Sequence, residues 1–381
     1  MNYVFYDFET TGLDTKFSQP IQIAAVCLDE NFKELDRIDQ KCKLNDGIIP
    51  HPAAMLVTRV PIDDLRNKQS FYDMMDYVHD KFKSWGPAVF IGYNSIRFDE
   101  EILRSGFFQS LHDPYLTNTE NNSRTDLFKI VLGLVALNKN IIKIPINEKT
   151  KRPSFKLELI AKANGIQHIK AHDALSDVFA TIDVARIIKN KAPDYWNECM
   201  KILGPRNLME YIQTHDYFYA APEHAAANVT YKPLSFMTNN PNNNKELAFF
   251  DLNYEPKKYC GSGISKIISM VESKQKVIRL YQSNKAPIIL SSDFMKSSEI
   301  FKDDEMEMFK QSSDEIKSRD DFIEKTNFAL VERYDDFQIT REPSEFLEAQ
   351  IYNGGFYSSS DKEKIILFKN SDDAGDKYNI S

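Results

Sequence analysis

Asp7 and Glu9 occupy alternate positions in Tyr3-Val4-Phe5-Tyr6-Asp7-Phe8-Glu9. A pleated strand would set both carboxylates on one face, ~6–7 Å apart. Taken alone, such a pair is equally an exposed sheet face. A third carboxylate, Asp99, follows the short apolar run Val89-Phe90-Ile91-Gly92-Tyr93, with Gly92 and Asn94 suited to a tight turn between them. By itself Asp99 could cap a helix. In His172-Asp173-Ala174-Leu175-Ser176-Asp177, Asp173 has the chemistry of an N-cap, which puts His172 just before a helix and Asp177 one turn inside it. Four carboxylates gathered without compensation would repel by on the order of 4 kcal/mol per pair at ~4 Å and an effective dielectric near ~20. A cluster of that kind calls for divalent cations. Ligation by oxygen alone favours hard ions, Mg²⁺ or Mn²⁺, over zinc. Two such ions are the apparatus of in-line phosphodiester cleavage. His172 would then be the general base rather than a ligand.

The elements that must hold these groups are visible in the periodicity. Tyr3–Glu9 and Ile21–Leu28 read as strands, with Asp29-Glu30-Asn31 as a hairpin-type turn, so three antiparallel strands are expected at the start. Helical patterns over 71–84, 99–108, 125–137, 155–163 and 174–190 alternate with short apolar runs, which argues for an α/β unit with a mixed sheet. Near 205 the pattern changes: Gly204-Pro205 is expected to end the helical register, and strand-like runs follow at Leu247–Leu252, Lys276–Tyr281 and Pro287–Leu290. From about 300 the chain is acidic and helical in pattern, and its last residues are polar.

A length of 381 residues with 42% apolar and 27% charged content excludes a short peptide and a globally disordered chain. No apolar run approaches the ~18 residues of a membrane span. Cys27, Cys42, Cys199 and Cys260 form no paired motif, so neither a zinc knuckle nor a disulfide framework is indicated. A soluble cytoplasmic monomer without membrane contact is the expectation. The net charge of −8 is uneven: residues 201–300 carry 12 Lys+Arg against 9 Asp+Glu, residues 1–200 carry 25 against 27, and residues 301–381 carry 11 against 20. A basic groove for nucleic acid is therefore sought in the middle third.

Asp7-Phe8-Glu9-Thr10-Thr11-Gly12, Gly92-Tyr93-Asn94 through Phe98-Asp99-Glu100-Glu101, and His172-Asp173-Ala174 through Asp177-Val178 resemble the three exonuclease motifs of the DEDDh superfamily. Within it, Asp113-Pro114-Tyr115, Asn122-Ser123-Arg124, Pro153-Ser154-Phe155-Lys156-Leu157-Glu158, Ala163-Asn164-Gly165-Ile166 and Ala349-Gln350-Ile351-Tyr352-Asn353-Gly354 are similar to the bacterial exonuclease I family. Each short motif is weakly specific, whereas their order and spacing together are strongly so.

The resemblance implies a ribonuclease H-like exonuclease domain with a mixed sheet over 1–204, an SH3-like β-rich domain with a linker over 205–340, and a partial C-terminal helical domain over 341–381. The chain ends soon after Tyr352-Asn353-Gly354, where members of the family usually continue through several more helices. The resemblance further implies two Mg²⁺ ions, with Mn²⁺ as a substitute, held by Asp7, Glu9, Asp99 and Asp177, and His172 activating water. Glu9, Lys156, Arg104 and Tyr115 fall at positions that touch the substrate strand. The activity implied is 3′→5′ hydrolysis of single-stranded DNA to 5′-mononucleotides, in repair and recombination, with the acidic tail of single-stranded DNA-binding protein as a further partner. Two rivals remain: an exoribonuclease or proofreading-type relative with the same five residues, and a catalytically silent single-strand DNA-binding module. The long middle region and Pro153-Ser154-Phe155-Lys156 argue against the former, and the presence of all five catalytic residue types argues against the latter.

Overall fold

The computed structural model describes residues 1–137, 140–167, 173–226, 229–339, 345–352, 354–355 and 357–371. The first sheet has the order β3-β2-β1-β4-β5, with β1 Asn2–Thr10, β2 Pro20–Leu28, β3 Glu34–Lys41, β4 Ala88–Gly92 and β5 Ser123–Asp126. β1, β2 and β3 pair antiparallel, as expected, while β4 and β5 run parallel to β1, which makes the sheet mixed.

Both faces of this sheet are covered, and the alternation of β1 decides which residue meets which cover. Val4, Tyr6 and Phe8 point into a cluster with Met74, Val78 and Phe82 of helix Phe71–Trp85 and Ile102, Leu103 and Phe107 of helix Asp99–Gln109. Phe5 points the other way, into a cluster with Val178, Ile182 and Ala185 of helix Ala174–Lys191. Asp7 and Glu9 continue the Phe5 face by the period of two. They therefore emerge at the end of β1 where the Ala174–Lys191 helix begins. Truncating a core ring such as Phe82 would cost about 3–5 kcal/mol, the usual range for a buried aromatic.

The second sheet is antiparallel, in the order β10-β6-β7-β8-β9, with β6 Phe218–Ala220, β7 Lys232–Asn240, β8 Asn243–Asp251, β9 Ile278–Gln282 and β10 Ile289–Ser291. Leu208, Tyr211 and Ile212 of helix Gly204–Gln213 cover one face through Phe218, Leu234, Leu247 and Phe249. On the other, Tyr219, Ala248 and Phe250 share a core with Ile267, Phe309, Ile316, Phe322 and Leu330, from helices Ile264–Glu272, Asp303–Lys317 and Asp320–Ile339.

Near 205 the structure differs from the expected pattern. Gly204-Pro205 does not end the helical register but opens a further helix, Gly204–Gln213, after helix Pro193–Lys201. Proline lacks only an N–H that no carbonyl would have met in the first turn, and Gly204 takes the left-handed φ of +80° that the entry requires. The same dipeptide thus starts one helix after another has closed. Beyond the second sheet the chain returns to the first: Tyr357 stacks on Phe108, and Lys369 of helix Ser359–Asn370 reaches Asp76 and His112. All four cysteines are free and buried.

Candidate active site

Three carboxylates meet where β1 ends. Ligand atoms of Asp7, Glu9 and Asp177 all lie within 4.8 Å of one another. Asp177 is held in the first turn of its helix, whose N-cap is Asp173, the side chain accepting from Ser176 N at 3.2 Å. The positive end of that helix faces the cluster, which favours negative charge there. Asp99 is buried, and its Oδ1 accepts from Phe8 N at 3.1 Å, tying the start of its helix to the backbone between Asp7 and Glu9.

The turn that delivers Asp99 has its own organiser. A Cβ at Gly92 would lie 2.4 Å from Ser95 Cβ, so only glycine permits this close approach. Asn94 then takes a left-handed φ of 60°. The buried Asp126 carboxylate accepts from Asn94 N at 2.7 Å, Ile96 N at 3.3 Å and Phe128 N at 3.0 Å. Asp126 did not stand out in the sequence; the signal was its position between a short strand and a helix, where an aspartate suits an N-cap.

Burial and mutual repulsion push these carboxyls up. Asp7 is raised well above its ordinary value by desolvation and then by Asp99, Asp177 and Glu9. Glu9 is pushed up to about 8 by burial, Asp177 and Asp99, with Lys41 offsetting only part. Asp99 is pushed up to about 7, chiefly by burial. Such a set is unfavourable as bare anions, and its oxygen-only donors suit a hard divalent cation.

The other expected residues are placed less uniformly. His172 lies outside the described residues. Lys156 is exposed as the N-cap residue of helix Leu157–Ala163, and Tyr93 Oη donates to the preceding Phe155 O at 2.6 Å, which fixes that loop to the end of β4. Arg104 is only 4% exposed: it donates to Glu100 Oε1 at 2.9 Å and to Asn118 Oδ1 at 2.8 Å, and its guanidinium carbon lies 5.0 Å from the centre of the Tyr115 ring. Arg104 and Tyr115 thus form a second cluster, in which half-buried Tyr115 is the more open member.

Two recesses flank these groups. Beside Glu9 a cavity of about 600 Å³ is walled by Phe8, Leu13, Phe17, Ile49, Val57 and Phe98. Leu13 and Ile49 are 87% and 90% exposed, large apolar side chains in water at the mouth of a carboxylate site. On the second sheet a groove of about 470 Å³ is lined by His224, Lys232, Lys274, Lys276 and Arg279. Arg97, in the turn before Asp99, lies 3.2 Å from His224 Nε2.

A family model described as "Exonuclease" matches residues 4–185. Exodeoxyribonuclease I of Buchnera aphidicola subsp. Acyrthosiphon pisum is 30% identical over an alignment 390 residues long, which covers 97% of this chain and 90% of that protein. The chain belongs to the exodeoxyribonuclease I family. Escherichia coli exonuclease I in complex with a dA16 oligonucleotide shares the fold, with a TM-score of 0.80, 23% identity, and coverage of 97% of this chain and 80% of that one. A complex of single-stranded DNA-binding protein and exonuclease I bound to an inhibitor superposes with a TM-score of 0.77 at 23% identity, covering 97% of this chain and 80% of that one. In this exodeoxyribonuclease I family member the first sheet and its helices are the ribonuclease H-like unit, and the second sheet is the SH3-like one. No described helix is long and apolar enough to cross a membrane.

Proposed function

We infer that the protein is a 3′→5′ exodeoxyribonuclease that degrades single-stranded DNA to 5′-mononucleotides. The observation that carries this reading is the meeting of Asp7, Glu9 and Asp177 within 4.8 Å beside an apolar recess, with Asp99 tied to the same strand end. Asp7, Glu9, Asp99 and Asp177 would hold a pair of Mg²⁺ ions, with Mn²⁺ as a substitute. Bound there, the ions would make water a nucleophile near neutral pH and neutralise charge on the phosphodiester. Glu9, at the lip of the recess, would also orient the 3′-terminal nucleotide, whose base the walls of Leu13 and Phe98 can cover whatever its identity. His172 takes a proton from the attacking water. The water oxygen joins phosphorus, the bond from phosphorus to the 3′ oxygen of the preceding nucleotide breaks, and that oxygen takes a proton from solvent water to become the new 3′ hydroxyl.

Lys156 and Tyr115 extend the binding surface upstream, with Arg104 behind the Tyr115 ring. The Lys232, Lys274 and Lys276 side of that groove supports a path for the sugar–phosphate backbone over the second sheet, Arg279 being paired with Asp251 at 2.6 Å. The protein would act as a cytoplasmic monomer in DNA repair and recombination, and would contact the acidic tail of single-stranded DNA-binding protein.

Digestion of 3′-labelled and 5′-labelled single-stranded DNA, duplex DNA and RNA of equal length, with Mg²⁺ and with chelator, tests the reading. The expected result is immediate release of the 3′ label as a mononucleotide, from single-stranded DNA and only with the cation. Faster loss of RNA would identify an exoribonuclease, and binding without cleavage a silent module.

A further inference from the structure

The three consecutive acids Asp99, Glu100 and Glu101 open one helix and face three different environments. Asp99 belongs to the carboxylate cluster. Glu100 is fully buried and accepts four hydrogen bonds: from Arg104 Nε at 2.9 Å, Thr117 Oγ1 at 2.7 Å, Tyr6 Oη at 2.8 Å and Arg124 Nη1. Glu101 accepts from Lys285 Nζ at 2.7 Å and from Tyr352 Oη.

Lys285 lies in the turn Ser283–Lys285, which follows β9 of the second sheet. That turn is clasped repeatedly by the first unit. Arg124, already bound to Glu100, donates through Nη2 to Asn284 O at 2.8 Å, and Lys129 Nζ donates to Lys285 O. Tyr352 comes from the chain beyond the second sheet, and its hydroxyl also lies 3.4 Å from Arg104 Nη1. Contacts from both later regions of the chain therefore converge on the first turn of the helix that delivers Asp99.

We propose that Lys285, through its ion pair with Glu101, is a positioning residue for the metal site, so that docking of the second sheet sets the place of Asp99. This rests on the reading of Asp99 as a metal ligand. Helix ends fray when their first turn is not held, and a carboxylate displaced there loses its place relative to Asp7 and Glu9. Loss of a partner that holds a ligand from behind typically costs about 10–100-fold in affinity for the ion.

The test is Mn²⁺ binding to the intact protein, read by loss of the free-ion paramagnetic resonance signal, for wild type, Lys285→Ala, Lys285→Arg and Asp99→Asn. Thermal stability and the KM for a trinucleotide are measured in parallel. Lys285→Ala is expected to weaken Mn²⁺ binding by about tenfold, the low end for residues supporting a ligand. The KM should stay unchanged and Lys285→Arg should recover most of the affinity. Unchanged Mn²⁺ affinity in Lys285→Ala, or a change confined to KM or to thermal stability, overturns the proposal. If Lys285→Ala does not fold, Glu101→Gln carries the same test. Unchanged binding in Asp99→Asn would instead sink the underlying reading of the site, which keeps the two failures apart.

Discussion

Two groups of buried carboxylates sit side by side at the end of β1, and they are handled in opposite ways. Burial pushes Glu100 up, but the Arg124 and Arg104 guanidinia with Thr117 and Tyr6 overcome it and hold the carboxyl below its ordinary value. One residue earlier, burial pushes Asp99 to about 7, and its neighbours Glu9 and Asp7 are raised by burial and then by Asp177 and Asp99. The chain therefore has the means to neutralise an acid within this turn and applies them to Glu100, and through Lys285 and Tyr352 to half-buried Glu101, but not to Asp99. A structural carboxylate carries its counter-charge in the protein, whereas the cluster leaves that role to a cation from solution.

The largest effect should come from breaking the carboxylate cluster. Asp177→Asn keeps the size of the side chain and removes a charge from the set, so cleavage should fall by more than about a thousandfold, roughly 4 kcal/mol of barrier. The fold should survive, and the metal-free protein should melt no lower than wild type because a repulsive charge has gone. Cleavage within about tenfold of wild type, roughly 1.4 kcal/mol, would remove Asp177 from the ligand set.

The same operation on the compensated side should do the reverse. Glu100→Ala leaves Arg104 and Arg124 buried without their anion, and breaking a buried pair in this way typically costs about 3–5 kcal/mol of stability. Denaturant unfolding without metal measures it directly. A loss as small as that of an exposed ion pair, below about 1 kcal/mol, would mean that the guanidinia find water or other partners and that Glu100 is not their structural counter-charge.

What could be read before the structure follows the range of the interactions involved. The phase of β1, with Phe5, Asp7 and Glu9 on one face, is a local period of two, and the helix from Ala174 is announced by its Asp173 cap, so the meeting of Asp7, Glu9 and Asp177 was legible. Glu100 was not separable from Asp99 and Glu101 by any local rule. Its partner Arg124 arrives 24 residues later along the chain, and Asn284 and Lys285 arrive from another sheet. The Gly204-Pro205 pair marks a helix boundary correctly, but proline at a first turn and proline after a last turn look alike in sequence, and only the buried face of Leu208, Tyr211 and Ile212 decides between them. Arg104 illustrates the same limit. Its type suits a phosphate contact, while its burial is set by Glu100, Asn118 and Tyr115 together.

The smallest effect is the pH dependence of metal-free stability, and its sign separates the two groups without any mutation. Glu9 has an ordinary value of 4.5 and is pushed up to about 8 in the fold, and Asp99 moves from 3.8 to about 7. Between those limits the folded state holds protons that the unfolded chain has released, so stability must fall as pH rises from about 4.5 to about 8. Glu100, lowered in the fold, acts in the opposite sense and is lost only toward acid. Mg²⁺ binds the deprotonated carboxylates, so its stabilising effect should grow over the window in which the metal-free protein weakens. Thermal melts at half-unit steps of pH, with chelator and with saturating Mg²⁺, should give one descending curve and one that stays level or rises, and Asp177→Asn should flatten the descending one. Two parallel curves would mean that the cluster is compensated from within the protein after all, and that it resembles Glu100 rather than a site awaiting a cation.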